Sequence, residues 1–231
     1  MIKSSFEYDV LFKNSKDNFQ KIITPFSHEF KWFIGRVYNI AFESVDLELY
    51  YSMIRKNRPD LIIEIGSGHS THFALDALKK NKSGHIICID PVPRRNLPDE
   101  IEHIKTKVED VEVSLFGKLN ENDILFIDSS HTTEEAEYHC NKILPNLKKG
   151  VFIHHHDFTY PYSIYCYDDP IKYGEPDVLL KFYMKNQHVF EIITSDSYVR
   201  YKDPDLINRL IKSYKWDKAR IPGSLWARKI A

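Results

Sequence analysis

Leu61-Ile62-Ile63-Glu64-Ile65-Gly66-Ser67-Gly68-His69-Ser70-Thr71 decides how the rest of the chain is read. Residues 61–65 are apolar apart from Glu64, the pattern of a strand buried on both faces of a parallel sheet. Gly66 and Gly68 follow at once, and Ser70 is placed to cap a helix carrying Phe73, Ala74, Ala77 and Leu78 on one face. Strand, glycine turn and helix start bring backbone N–H groups close to a ligand. The Gly-Lys-Ser/Thr ending of a phosphate loop is missing, and Thr71 stands where the dinucleotide fingerprint has its third glycine. Taken alone, the motif also reads as a tight strand–helix turn that binds nothing.

Working outward, the periodicity predicts a helix over about 45–56, with Val45, Leu49, Met53 and Ile54 on one face and Pro59 beyond its end. Downstream, Asn81-Lys82-Ser83-Gly84 turns the chain into a second strand, His85 to Asp90. Asp90, 22 residues past Gly68, suits a ribose diol, or else merely caps the turn at Pro91. A weaker strand is expected around 101–105 and a clear one over 123–128, ending Asp128-Ser129-Ser130-His131. Thr132 and Glu135 have capping-box spacing, and the helix they open stops at Pro145. Val151 to Asp157 reads as a fifth strand ending in His154-His155-His156-Asp157. A helix over 178–185, a strand over 188–193, a short helix after Pro204 and a last strand over about 225–230 complete the reading.

Composition removes several function classes. The 231 residues fit one domain, 1–231, with an N-terminal portion 1–43 and a core 44–231. Lys+Arg is 32 against Asp+Glu 33, a formal net charge of -1, which gives no electrostatic reason to expect nucleic acid or a membrane surface as partner. No apolar run approaches a membrane span, and the start lacks a signal-peptide core. Cys88, Cys140 and Cys166 form no Cys-x-x-Cys pair, so a reduced, cytoplasmic setting is expected. Within 1–43, the aromatics Phe6, Tyr8, Phe12, Phe19, Phe26, Phe30, Trp32, Phe33, Tyr38 and Phe42 imply a helical cover over the core or a homo-oligomer interface, with an active-site lid as the alternative.

An acidic strand residue followed by Gly-x-Gly resembles the first motif of class I S-adenosylmethionine-dependent methyltransferases. Phe126-Ile127-Asp128-Ser129-Ser130-His131, then Leu144-Pro145-Asn146-Leu147-Lys148-Lys149-Gly150 and His154-His155-His156-Asp157, narrow it. Together they look like a bacterial subfamily related to macrocin O-methyltransferase and the cephalosporin-hydroxylase-like proteins. Glu175 with Leu179, Leu180 and Phe182 resembles a later helix, and Ser224 to Lys229 the closing strand. Two departures stand out: Gly174-Glu175-Pro176 replaces a usual Asn-Glu-Gln, and His155 replaces an aliphatic residue. The resemblance implies an α/β, Rossmann-like, seven-stranded, mostly parallel sheet flanked by helices, with the last strand antiparallel.

It also implies a site. S-adenosylmethionine would bind at Glu64, Gly66, Ser67, Gly68, Ser70, Asp90, Asp110 and Asp128, with Val108-Glu109-Asp110 at the adenine edge. Metal-using relatives place an acidic residue at the end of strand four and a polar pair at the end of strand five, positions held here by Asp128 and His156-Asp157. A divalent metal (Mg, Mn or Fe) on these three fits two oxygens and an imidazole. Since side chains alternate along a strand, one or two histidines of the run can equally be core residues. His131 is the expected general base, with a helix cap or an orienter of Asp128 as the alternative. The expected activity is O-methylation of a small polar acceptor such as a sugar, with specificity in the tyrosine-rich segment 158–173, whose tyrosines can equally pack on the N-terminal cover. The alternatives are a non-haem iron oxygenase or metallohydrolase built on His-x-His-Asp, or a catalytically silent cofactor-binding subunit.

Overall fold

The computed structural model describes residues 6–32, 42–162, 174–214 and 221–231. Seven strands, β1 Leu61–Ile65, β2 His85–Ile89, β3 Glu102–Ile104, β4 Ile124–Ile127, β5 Phe152–His155, β6 Phe190–Ser195 and β7 Leu225–Lys229, form one sheet in the order β3-β2-β1-β4-β5-β7-β6. Strands β1 to β5 are mutually parallel, and β7 lies antiparallel between β5 and β6. The expected architecture is thus present, with β7 alone reversed against its neighbours. β1 is buried at every position, because helices cover both faces of the sheet.

The helices are α1 Phe6–Asp9, α2 Ser15–Ile23, α3 Asp46–Asn57, α4 His69–Asn81, α5 Thr133–Tyr138, α6 Glu175–Lys185, α7 Asp196–Lys202 and α8 Pro204–Leu210. α3 and α4 pack on one face through Leu49, Tyr50, Met53, Phe73 and Ala77. The other face carries Cys140, Ile143, Leu179 and Tyr183 from the α5 continuation and α6. After Tyr138, α5 continues as a π-helical turn, His139–Ile143, before Pro145.

Phe19, Ile22, Ile23, Phe30 and Phe42 are buried in the same apolar cluster as α3 and α4, while Phe12 stacks on Tyr160 at 5.3 Å and Tyr198 at 4.8 Å. These N-terminal aromatics cover the core. Phe33, Tyr38, Tyr165, Tyr167 and Tyr173 lie outside the described residues. Three details differ from the sequence reading. α7 is an additional helix, and β6 begins two residues later than expected, since residues 188–189 close the turn after α6, where the Val189 and Phe190 N–H groups both donate to Asn186 O at 2.9 Å. Thr132 does cap α5 by accepting the Glu135 N–H, but the Glu135 carboxylate turns to Ser130 instead of closing the box.

Candidate active site

The turn after β1 is shaped first by packing. Gly66 has φ +84°, and a Cβ there would lie 1.8 Å from the carbonyl oxygen of Asp128. Its glycine is therefore required by the close approach of the β1 and β4 ends, which are also tied by Asp128 N–H to Ile65 O at 2.9 Å. Gly68 is different: a Cβ would meet only Arg94 Cβ, at 3.7 Å. Ser67 donates to Asp90 Oδ2 from both its N–H and its hydroxyl at 2.9 Å, and Val92 N–H donates to Oδ1 at 2.8 Å. One lone pair of Oδ1 is left for a ligand hydroxyl, consistent with the ribose expectation.

Two expected cofactor contacts are corrected. Glu64 is fully buried and is no part of the cavity wall. Its carboxylate accepts from Tyr50 Oη at 2.9 Å and Thr71 Oγ1 at 2.5 Å, and Thr71 in turn accepts the Gly68 N–H at 3.1 Å. Glu64 thus braces the glycine turn from behind; burial, only partly offset by these donors, pushes its carboxyl up to about 7. Asp110 is exposed and off the wall, where Lys107, Val108 and Glu109 stand instead. Ser70 lines the cavity from within the first turn of α4 and is not its cap, which is Gly68.

The cavity has a volume of about 330 Å³ and runs from Asp90 and Val108 past Gly66, Ser67 and Gly68 to Asp128, Ser129 and Ser130, with Phe42 closing one side. Beyond Asp128 is a cluster of carboxylates and imidazoles. His131 Nε2 lies 3.3 Å from Asp128 Oδ1 and 3.2 Å from Asp157 Oδ2, while its Nδ1 lies 2.8 Å from Glu175 Oε2. His156 Nδ1 is 3.2 Å from Asp128 Oδ1. Both His131 (φ +58°) and Asp157 (φ +57°) hold left-handed backbones, a costly conformation that persists where the surroundings over-determine it.

This geometry revises the metal and base assignments. Among the described residues, the convergent donor set is Asp128, His131 and Asp157, whose ligand atoms lie within 4.8 Å of one another. His131 stands where His156 was expected. His156 is buried beneath Asp128, its ring tilted against Phe42 at 4.9 Å. Burial opposes its protonation, but Asp128 and Asp157 outweigh that and push it up to about 10. For His131 too, burial is overridden, by Glu175, Asp128 and Asp157, and the ring is held protonated well above its ordinary value. Asp128 pays burial's cost yet is held well below the usual carboxylate range by His156 and His131. Both ring nitrogens of His131 are directed at carboxylates; an ion between Asp128 and Asp157 would displace the Nε2 proton and leave Nδ1–H on Glu175, a geometry that suits a ligand better than the general base expected. His155, the other imidazole considered, is buried on the opposite face against Tyr183 Oη at 2.8 Å. Burial lowers it to about 3. His154 is likewise a neutral core residue, stacked on Phe126 and bonded to Ser224.

Sequence reasoning left Glu175 and Phe42 without a role in the site. Glu175 arrives from the first turn of α6, 44 residues beyond His131, and in the sequence only its resemblance to the central residue of the family's Asn-Glu-Gln marks it, with no partner assigned. Of the two readings left open for the tyrosines of 158–173, acceptor contact or packing on the N-terminal cover, Tyr160 follows the second, buried against Phe12 and Tyr198.

Residues 63–158 match the family model described as a methyltransferase domain. An uncharacterised protein of Archaeoglobus fulgidus is 39% identical over 92 residues, 36% of this chain and 42% of the relative. The chain thus matches less than half the length of that relative. The O-methyltransferase TomG from Streptomyces achromogenes, in complex with SAM, superposes with a TM-score of 0.55 at 13% identity, covering 100% of this chain and 92% of that one. The chain has the class I methyltransferase fold. SAH-bound methyltransferase PaMTH1 from Podospora anserina shares this methyltransferase fold with a TM-score of 0.50 at 14% identity, over 97% and 92% of the two chains. Among the described residues no helix is long and apolar enough to cross a membrane.

Proposed function

We propose that this protein transfers a methyl group from S-adenosylmethionine to a hydroxyl of a small polar acceptor, with a divalent ion on Asp128, His131 and Asp157. The observation that carries this reading is the double membership of Asp128, which lines the nucleoside-sized cavity and belongs to the carboxylate–imidazole cluster. Two carboxylate oxygens and one imidazole nitrogen form a set that suits magnesium, manganese or iron. The match to a methyltransferase domain over 63–158 and the SAM- and SAH-bound proteins of the same fold support the choice of cofactor. A silent cofactor-binding subunit has no use for a buried charge cluster at the cavity's end, and an oxygenase has no use for the Ser67–Asp90 corner.

S-adenosylmethionine supplies an electrophilic sulfonium methyl; the acceptor oxygen's electron pair forms the O–C bond as the C–S bond breaks, releasing S-adenosylhomocysteine. An ion on the three ligands would lower the pKa of the acceptor hydroxyl and fix its direction. The chain supplies alignment. Asp90 and the Ser67 turn hold the nucleoside end, Phe42 excludes water from one side, and Asp128 sets where the acceptor meets the methyl. Asp157, with about a third of its side chain exposed, is the carboxylate open to an incoming hydroxyl and to its proton. Glu175 accepts from His131 Nδ1–H and so turns Nε2 toward Asp128 and Asp157.

Calorimetry with S-adenosylhomocysteine tests the cofactor half: wild type binds and Asp90→Ala loses affinity. A screen of hydroxylated acceptors, sugars included, for S-adenosylhomocysteine release with and without Mn²⁺ tests the rest. Wild-type protein blind to the cofactor would end this reading.

A further inference from the structure

One corner of the fold has no part in the reaction as described, yet it leans on the site. Asp46, the first residue of α3, and Asp196, the first of α7, are both buried, at 4% and 0% exposure. Both point their carboxyl groups at one dipeptide, Gly223-Ser224, just before β7. Asp46 Oδ1 accepts from Gly223 N–H at 2.9 Å and from Ser224 Oγ at 2.6 Å. Asp196 Oδ1 accepts from Ser224 N–H at 2.8 Å, and Asp196 N–H returns a bond to Ser224 O at 3.2 Å. Burying two carboxyl groups is costly unless they are well bonded; apart from Asp196 Oδ1 accepting its neighbour Ser197 N–H at 2.7 Å, the bonds given above converge on these two residues.

Gly223 in turn touches Asp157. A Cβ on Gly223 would lie 3.1 Å from Asp157 Cα and 3.3 Å from its nitrogen, and Gly223 O accepts the Phe158 N–H at 2.8 Å. The Asp157 backbone is the left-handed one, φ +57°, that directs its carboxylate at His131. Resting on the ion-assisted reading above, we propose that Asp46 and Asp196 are positioning residues that, through Gly223-Ser224, hold Asp157 in its ion-binding orientation. Neither carboxyl group lines the cofactor cavity, so the effect falls on ion affinity. The residues that orient a ligand commonly matter 10–100-fold for metal affinity.

The test is Mn²⁺ affinity, by titration of the free-ion electron paramagnetic resonance signal, beside S-adenosylhomocysteine affinity. Asp46→Ala should weaken Mn²⁺ binding about 10–100-fold while S-adenosylhomocysteine affinity stays within about twofold. Asp46→Asn, which keeps an acceptor oxygen, should restore most of the loss. Gly223→Ala removes no polar group but presses a methyl on Asp157, and it should weaken Mn²⁺ binding even if Asp46→Ala fails to fold. Wild-type binding of Mn²⁺ with unaltered affinity in Gly223→Ala would overturn the positioning role alone. Wild-type protein that binds no Mn²⁺ would overturn the ion-assisted reading and this inference together.

Discussion

Behind the glycine turn, the buried carboxyl of Glu64 ties folding to pH through one side chain. Its folded value of about 7 lies above the 4.5 of the free group, so between those values the folded chain keeps a proton that the unfolded chain releases. Stability from this group is fully present below 4.5 and lost as pH rises through 7, by about 3 kcal/mol at 1.36 kcal/mol per unit. Urea denaturation at pH 5 and pH 8 should show a smaller decline in Glu64→Gln than in wild type, the remainder coming from His131 and His156; equal declines in the two proteins would contradict it. The two loop glycines separate packing from binding. Gly66→Ala would drive a methyl into Asp128 O and should unfold the β1–β4 end, whereas Gly68→Ala should keep its melting temperature and weaken S-adenosylhomocysteine binding. Their shared motif hid this difference, because only the spatial neighbour of each Cβ distinguishes them. Asp128 and Asp157 were legible as strand-end carboxylates. The choice between His131 and His156 was not, since it depends on two left-handed residues and on a carboxylate 44 positions away.

Among the elements, α5 has an N-terminus that serves the helix and the cavity by separate atoms. Thr132 Oγ1 accepts the Glu135 N–H at 3.3 Å, while Glu135 Oε2 accepts the Ser130 N–H at 3.0 Å beside the cavity. Thr132→Ala should therefore cost about 1 kcal/mol in chemical denaturation with cofactor affinity unchanged. Glu135→Ala should weaken S-adenosylhomocysteine binding; the same affinity in both variants would refute the division of labour. β1, β2, β4 and α4 could be read from sequence because buried parallel strands give continuous apolar runs and α4 repeats its apolar face. α7 escaped because seven residues, Asp196–Lys202, carry no full period and their cap, Ser195, is also the end of β6. The displaced start of β6 reflects the turn after α6, where Asn186 O accepts from both Val189 and Phe190 N–H, and the run His188 to Ile193 does not mark where that turn ends.

Across the whole molecule, the proposed ion joins the ends of β4 and β5 to the start of α5, and its binding is linked to folding. At free Mn²⁺ a hundredfold above Kd, apparent stability should rise by about 2.7 kcal/mol. Chelation should reverse the gain, and Asp157→Asn should not show it; an equal gain in that variant would exclude Asp157 as a ligand. The sheet order adds a constraint in time. Among the described residues, β6 joins the sheet only through β7, and β7 follows every other strand. During synthesis at about 5–20 residues per second, the glycine turn and Asp90 are complete while the edge of β5 is still bare. A ribosome-stalled chain ending before residue 221 has Asp128 and Asp157 but neither β7 nor the Gly223 that supports Asp157. Such nascent chains should retain S-adenosylhomocysteine on affinity resin before they resist protease at the β5 edge. Nucleoside recognition would then mature on the ribosome, and ion capture only as the closing strand emerges.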